Sequence, residues 1–148
     1  MATFTADNAN VTGQVGTPVA NPCLNLKAAR WTYTLVGTEG VNDTINFGNL
    51  PTGATIIPEL SYVARKSDPG TSLTIDIGYS ADADYFADGV VCDAAGTSAF
   101  TTPAVPGQVS APVTFTAPTV VFATIKAASS LTAGAELDVT CVYTIPTS

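Results

Sequence analysis

Apolar and polar residues alternate one for one along most of this chain, the period of a half-buried β-strand. In WTYTLVG (31–37), Trp31, Tyr33 and Leu35 share one face, and Thr32 and Thr34 the other. In DTINF, Ile45 and Phe47 share a face; in TSLTIDIG, Leu73, Ile75 and Ile77 point inward while Thr74 and Asp76 point out. VSAPVTFTAP, with Phe115, and TVVFATIKA read as two strands joined near Pro118. ELDVTCVYTIP puts Leu137, Val139, Cys141, Tyr143 and Ile145 on one face. Its other face, Asp138, Thr140, Val142 and Thr144, is less polar than usual, so a covered face is expected. ATIIPELSYVAR (54–65) reads as one longer run with Pro58 at a bulge or edge, because proline donates nothing to a ladder.

Turn chemistry divides these runs. EGVND, LPTGA, SDPGT and LTAGAE separate them, and in the proline–glycine turns proline presets φ while glycine accepts a positive φ. Almost nothing reads as helix; SADADYFADG (80–89) is the one candidate for a helical turn, and otherwise an acidic loop. AAGTSAFTTPAVPG (94–107) reads as a long loop or edge excursion. The pattern predicts an all-β antiparallel sandwich of about eight strands over residues 30–148, preceded by an extended N-terminal arm over 1–29 with one short strand near Thr3–Thr5. The predicted core is Trp31, Tyr33, Leu35, Ile45, Phe47, Leu73, Ile75, Ile77, Phe115, Leu137, Val139, Cys141 and Tyr143.

Composition changes that picture in one respect. Of 148 residues 46% are hydrophobic, so a core is available, but only 11% are charged, against about 25% in ordinary domains. A surface of Thr, Ser, Ala, Gly and Asn loses little on leaving water, which favours broad, permanent contacts with neighbouring subunits. The net charge is −7, and the cations are only Lys27, Arg30, Arg65, Lys66 and Lys126. That gives no basic stripe for nucleic acid and no basic amphipathic segment for a membrane surface. The polar start MATFTADNANVTGQ has neither a charged n-region nor an apolar h-region, so synthesis in a cytosol is expected. For the same reason Asn10-Val11-Thr12 and Asn42-Asp43-Thr44 are not expected to carry glycan.

The chain contains no histidine, which removes Ser–His, Cys–His and most zinc chemistry. Phosphate-binding glycine loops are absent too. An enzyme would have to run on carboxylates, with Glu39, Glu59, Glu136 and the aspartates as candidates, yet no spacing pairs them; no enzymatic activity and no cofactor are expected. Asp82, Asp84 and Asp88 are weak candidates for a cation, since an Asp-rich loop supplies hard oxygen ligands but DADYFADG lacks the EF-hand spacing; the plainer reading is turn capping. Cys23, Cys92 and Cys141 read as free buried thiols. Tyr79, Tyr85 and Phe86 either pack back on the sandwich or anchor an interface; Arg65 and Lys66 are a solvated pair or bridge to a neighbour. With Phe4, these residues form the candidate interface set.

Three stretches, DTINFGNLPTGATIIPEL, DPGTSLTIDIGYSADADYFADG and LTAGAELDVTCVYT, together resemble a family of small decoration (cement) proteins on the heads of tailed bacteriophages. The resemblance spans roughly residues 43–145, leaves 94–107 unmatched, and is strongest from the DPGT turn to DYFADG. It implies a jelly-roll-like β-sandwich that trimerises on the outer capsid surface and clamps adjacent major capsid subunits. The implied location is the virion, after synthesis in the bacterial host cytoplasm. The rival expectation is a tail or head-fibre module that binds host glycan through exposed aromatics.

Overall fold

The computed structural model describes residues 1–5, 26–100 and 113–145. They form ten strands in two facing sheets: β1 (Thr3–Thr5), β2 (Leu26–Thr34), β3 (Thr44–Leu50), β4 (Thr55–Ile56), β5 (Tyr62–Arg65), β6 (Gly70–Tyr79), β7 (Asp82–Val91), β8 (Gly96–Ala99), β9 (Thr119–Leu131) and β10 (Glu136–Thr144). The first sheet runs β1-β3-β9-β6-β7 and the second β2-β10-β5-β8, with β4 also pairing β10. All pairings are antiparallel except β1 with β3, which is parallel. The chain is therefore an all-β sandwich.

The inward faces follow the alternation in the sequence. Trp31, Tyr33, Leu35, Ile45, Phe47, Leu73, Ile75, Ile77, Phe115, Leu137, Val139, Cys141 and Tyr143 all lie in one buried cluster. Cys92 and Cys141 are buried free thiols, while Cys23 lies outside the described residues. Burial pushes the Cys92 thiol up to about 11, against the pull of the nearby Arg65, and pushes Cys141 up further. β10 is the central strand of its sheet: it pairs β2 over its whole length and β5 on the other side. β2 opens at Leu26, inside the stretch set apart as an arm from the sequence.

Three local expectations are corrected. Residues 54–65 are not one strand: Pro58 opens a 3-10 turn (Pro58–Leu60) between β4 and β5, where its fixed φ suits the first helical position. The Ser61 hydroxyl then donates to Ile57 O at 2.8 Å and accepts from the Val142 amide at 2.9 Å, tying that turn to β10. VSAPVTFTAP gives no strand among its described residues; only Thr114 forms a bridge, to Thr55. The 94–107 stretch, read as a long loop or an edge excursion, contains β8, which pairs β5 at the sheet edge. Finally, SADADYFADG is neither loop nor helix. It forms most of β7, held in register by β6.

Candidate functional site

The acidic stretch acquires its geometry from two irregularities in the β6–β7 hairpin. Ile75 faces Val90, Ile77 faces Ala87, and Tyr79 faces Asp82. Two steps along β6 therefore face three on β7 and then five, so β7 bulges twice. The first bulge contains Gly89 at φ +69°, a conformation that L side chains rarely adopt. The second loops residues 83–86 over Gly78, where an added Cβ would lie 2.2 Å from the Asp82 carbonyl oxygen. Only glycine admits so close an approach.

This folding brings Asp76, Asp84 and Asp88 together, with one carboxylate oxygen from each within 4.8 Å of the others. Asp76 lies on the outer face of β6, as the alternation requires, but it is covered, only 3% exposed. It accepts the Gly89 amide at 2.8 Å and pairs with the Lys126 ammonium at 3.0 Å. The hydrogen bond to Asp76, and then the charges of Asp76, Asp88 and Asp84, raise the Lys126 pKa. A built-in ammonium thus offsets part of the negative charge that the three carboxylates bring together. Asp82, named with Asp84 and Asp88 from the sequence, stands beside the trio: a hydrogen bond with Asp84 raises its pKa, assisted by burial and by the Asp84 charge.

The aromatics of this stretch turn inward. Tyr79, Tyr85, Phe86 and Phe115 form one edge-to-face cluster, with Tyr79 5.4 Å from Phe115 and 5.6 Å from Tyr85 between ring centroids. Phe86 is buried, and Tyr79 and Tyr85 pack against the core. Such stacking adds about 0.5–1.5 kcal/mol per pair to the burial of area.

Arg65, Lys66, Glu39 and Glu136 are engaged within the chain. Arg65 is buried: its Nε donates to Ala94 O at 2.7 Å and its Nη1 to Ser98 Oγ at 3.0 Å. The solvated Arg65–Lys66 pair expected from the sequence is thereby split: alternation along β5 turns Arg65 in with Val63, and Lys66, just past the strand, is exposed. Lys66 bonds Glu136 and lies 4.0 Å from Asp138. Asp138 is 1% exposed on the outer face of β10, where it accepts Thr32 Oγ1 at 2.5 Å and the Arg30 guanidinium. Burial works to raise the Asp138 carboxyl, but the bonds from Thr32 and Arg30 and the charges of Arg30 and Lys66 outweigh it, and its pKa is lowered. On the face of β10 expected to be covered, Asp138 and Thr140 are buried and Val142 and Thr144 half-buried, with Asp138 ion-paired to Arg30 and Lys66. Glu39, buried in the turn after β2, accepts Tyr33 Oη at 2.7 Å, the Val36 amide at 2.6 Å and the Gly37 amide at 2.8 Å. Glu59 lies exposed in the 3-10 turn. The side chain of Phe4 lies outside the described residues, and its backbone pairs with Ile45.

Sequence reading gave no structural role to Asp43 or Asp138, and placed Asp76 only as an outward-pointing acid beside the Asp-rich stretch. For Asp76 a signal was present. A lone acid flanked by Ile75 and Ile77, thirteen residues before a glycine in an acidic hairpin, is a candidate to cap a bulge.

The architecture is a two-sheet β-sandwich with an N-terminal strand added in parallel at one edge, and chains of this architecture occur in bacteriophage capsids. One chain of the structure described as the capsid of Ralstonia phage GP4 matches with a TM-score of 0.73 at 19% identity, over 99% of this chain and 100% of that one. A chain of the cyanophage Pam1 capsid asymmetric unit matches at 0.63 and 19% identity, over 92% and 96%. A chain of the acidic stable capsid of Helicobacter pylori bacteriophage KHP30 matches at 0.55 and 14% identity, over 82% and 89%. At these identities the likeness is one of fold. No protein-family profile and no curated protein matches the chain.

Proposed function

We propose that this chain is a structural protein of a bacteriophage virion, without enzymatic activity, and that it decorates the outer surface of the head. The observation that carries the reading is the end-to-end fold match with a chain of a phage capsid, with neither chain left over. The sparse charge of the sequence supports it, since few ions need be stripped of water when a neighbour docks. In this reading the protein acts as a homotrimer that bridges adjacent major capsid subunits. Binding the closed lattice and not its parts stabilises it by RT ln(1 + [L]/Kd) per site, and three linked sites raise the effective concentration of each.

The glycan-binding alternative required Tyr79, Tyr85 and Phe86 as an exposed platform. Their inward stacking takes away the feature that favoured it. A carboxylate enzyme is likewise disfavoured, since Glu39 and Glu136 are committed to a turn and an ion pair.

The test is reconstitution. Purified protein added to heads that lack it should bind saturably, appear on the outside of imaged particles, and raise their melting temperature. Heads that neither bind the protein nor melt higher at large excess would sink the proposal.

A further inference from the structure

The geometry points to the β3 edge, from Asp43 to Asn46, as an acceptor site for the N-terminal strand of a second copy of this chain. Three observations lead there. First, the strand that occupies the edge is small: β1 contributes only Thr3–Thr5, in register with Thr44, Ile45 and Asn46. Met1, Ala2 and Thr3 are all exposed. Second, the bonds that hold this end are polar and lie at the rim. Ala2 N donates to Asp43 Oδ1 at 2.7 Å, Thr44 N to Ala2 O at 3.0 Å, and Thr44 Oγ1 to Thr3 Oγ1 at 3.0 Å. Third, the acceptor is built without β1. The other Asp43 oxygen accepts the Gly40 amide at 2.9 Å, and the backbones of Asn42 and Asp43 bond Ile125 of β9 at 2.8 and 2.9 Å. One oriented carboxylate oxygen and one row of strand hydrogen bonds are therefore ready for any extended segment, the arrangement of β-strand addition. With the strand docked, the amides of Gly40 and Ala2 together hold the Asp43 carboxyl below its ordinary range; the Gly40 amide is the part that β1 does not supply.

The occupant follows from chain length. Residues 6–25 separate Thr5 from Leu26, and fully extended they reach about 70 Å. A domain of this size has a radius of gyration of about 15 Å, so the tether is long enough to serve a neighbour. Identical residues then make identical bonds in either copy, and the balance between a chain's own strand and its neighbour's is set by local concentration alone. The proposed virion role enters only through the crowding that a shell imposes.

The test mixes two full-length variants, both carrying Cys23→Ser. One is isotope-labelled with Thr3→Cys; the other is unlabelled with Thr44→Cys. Neither can link within itself between positions 3 and 44. Under mild oxidation of concentrated protein, and again on reconstituted heads, a labelled–unlabelled 3–44 disulfide should form. Its yield should exceed by an order of magnitude or more that of a control acceptor with Asn49→Cys, which lies on β3 beyond the β1 register. Adding Asp43→Ala to the acceptor should lower the yield. Equal yields at positions 44 and 49, or no 3–44 link at either place, overturn the inference. If a variant fails to fold, the second register pair, Thr5→Cys with Asn46→Cys, reads the same question. Heads that bind the protein without linking it would reject exchange alone; linked protein that never binds heads would reject the virion role alone.

Discussion

Replacing Asp76 by asparagine and by alanine separates the two jobs of this carboxylate. Asparagine keeps an oxygen to accept the Gly89 amide, which now bonds Asp76 at 2.8 Å, but removes the charge facing Lys126. Alanine removes both. The Lys126 side chain is half exposed, so water replaces most of what the ion pair supplies. Removing the charge also relieves repulsion with Asp84 and Asp88, whose oxygens lie within 4.8 Å. At that separation each pair repels by about 1 kcal/mol in bulk water. The gain and loss oppose each other, and Asp76→Asn should stay within about 1 kcal/mol of the parent at pH 7. Asp76→Ala also strands the Gly89 amide inside a bulge, which costs about 1–3 kcal/mol. For a chain of this length 1 kcal/mol is about 3 °C in Tm, so alanine should melt about 3–9 °C below asparagine. Scanning calorimetry of the three proteins, with and without millimolar calcium, reads the result. Equal losses in both variants would refute the reasoning, because the charge and not the amide bond would then carry the hairpin. A parent Tm raised by calcium and unmoved in Asp76→Asn would mean that the trio binds a cation in spite of Lys126.

Three further outcomes follow from the same geometry. Gly78→Ala sets a Cβ against the backbone of residues 82–83, which has no flexible end to yield, so it should destabilise by about 1–3 kcal/mol in urea titrations; a neutral variant would mean that the second bulge is plastic. Two of the perturbed carboxyls, Asp138 and Asp82, should show opposite pH dependence. Asp138 has a lowered folded pKa, so its contribution is present above the ordinary aspartate value of about 4 and fades as pH falls through the folded value; Asp138→Asn should lose stability at pH 7, and the deficit should close in acid. Asp82 has a raised folded pKa, so its ionisation works against folding as pH rises through that value; Asp82→Asn should gain stability at pH 7, and the gain should vanish in acid. Parallel profiles for the two would contradict these assignments. Cys92, buried with its thiol pushed up to about 11, should resist alkylation at pH 8 until the protein unfolds, and mass spectrometry of native and urea-treated protein would reveal any early labelling.

What was legible in the sequence is what strict alternation encodes. WTYTLVG and ELDVTCVYT each have one wholly apolar face, and a period of two leaves a strand no choice about which face is buried. Hence β3, β6, β10 and the second half of β2 could be read with their core residues, while β9 was read as a strand without its core residues Val121, Ala123 and Ile125. The β7 hairpin could not. Bulges add residues to one strand only, so DADYFADG loses its period when written as a line and regains it only against β6. The carboxylate trio has the same cause: Asp76 lies eight and twelve residues from Asp84 and Asp88, and the two bulges convert those separations into contact. Arg65 was misjudged because charge suggests solvent, while its place two residues after the buried Val63 on β5 turns it inward to backbone and hydroxyl acceptors. Pro58 was read as an irregularity of a strand when it starts a 3-10 turn; both exploit the same missing amide, and the backbone bonds from Leu60 to Ile57 and from Ser61 to Pro58 distinguish them.

The position of β10 also bears on how the polypeptide is made. It is the last strand described, yet it fills the middle of its sheet, and its Asp138 waits for Arg30, 108 residues earlier. On a ribosome, β2 and β5 must therefore emerge and persist without the strand that joins them. Stop codons ahead of residue 136 would yield two unjoined flanks rather than a smaller working molecule, and quality-control proteases should clear such fragments quickly.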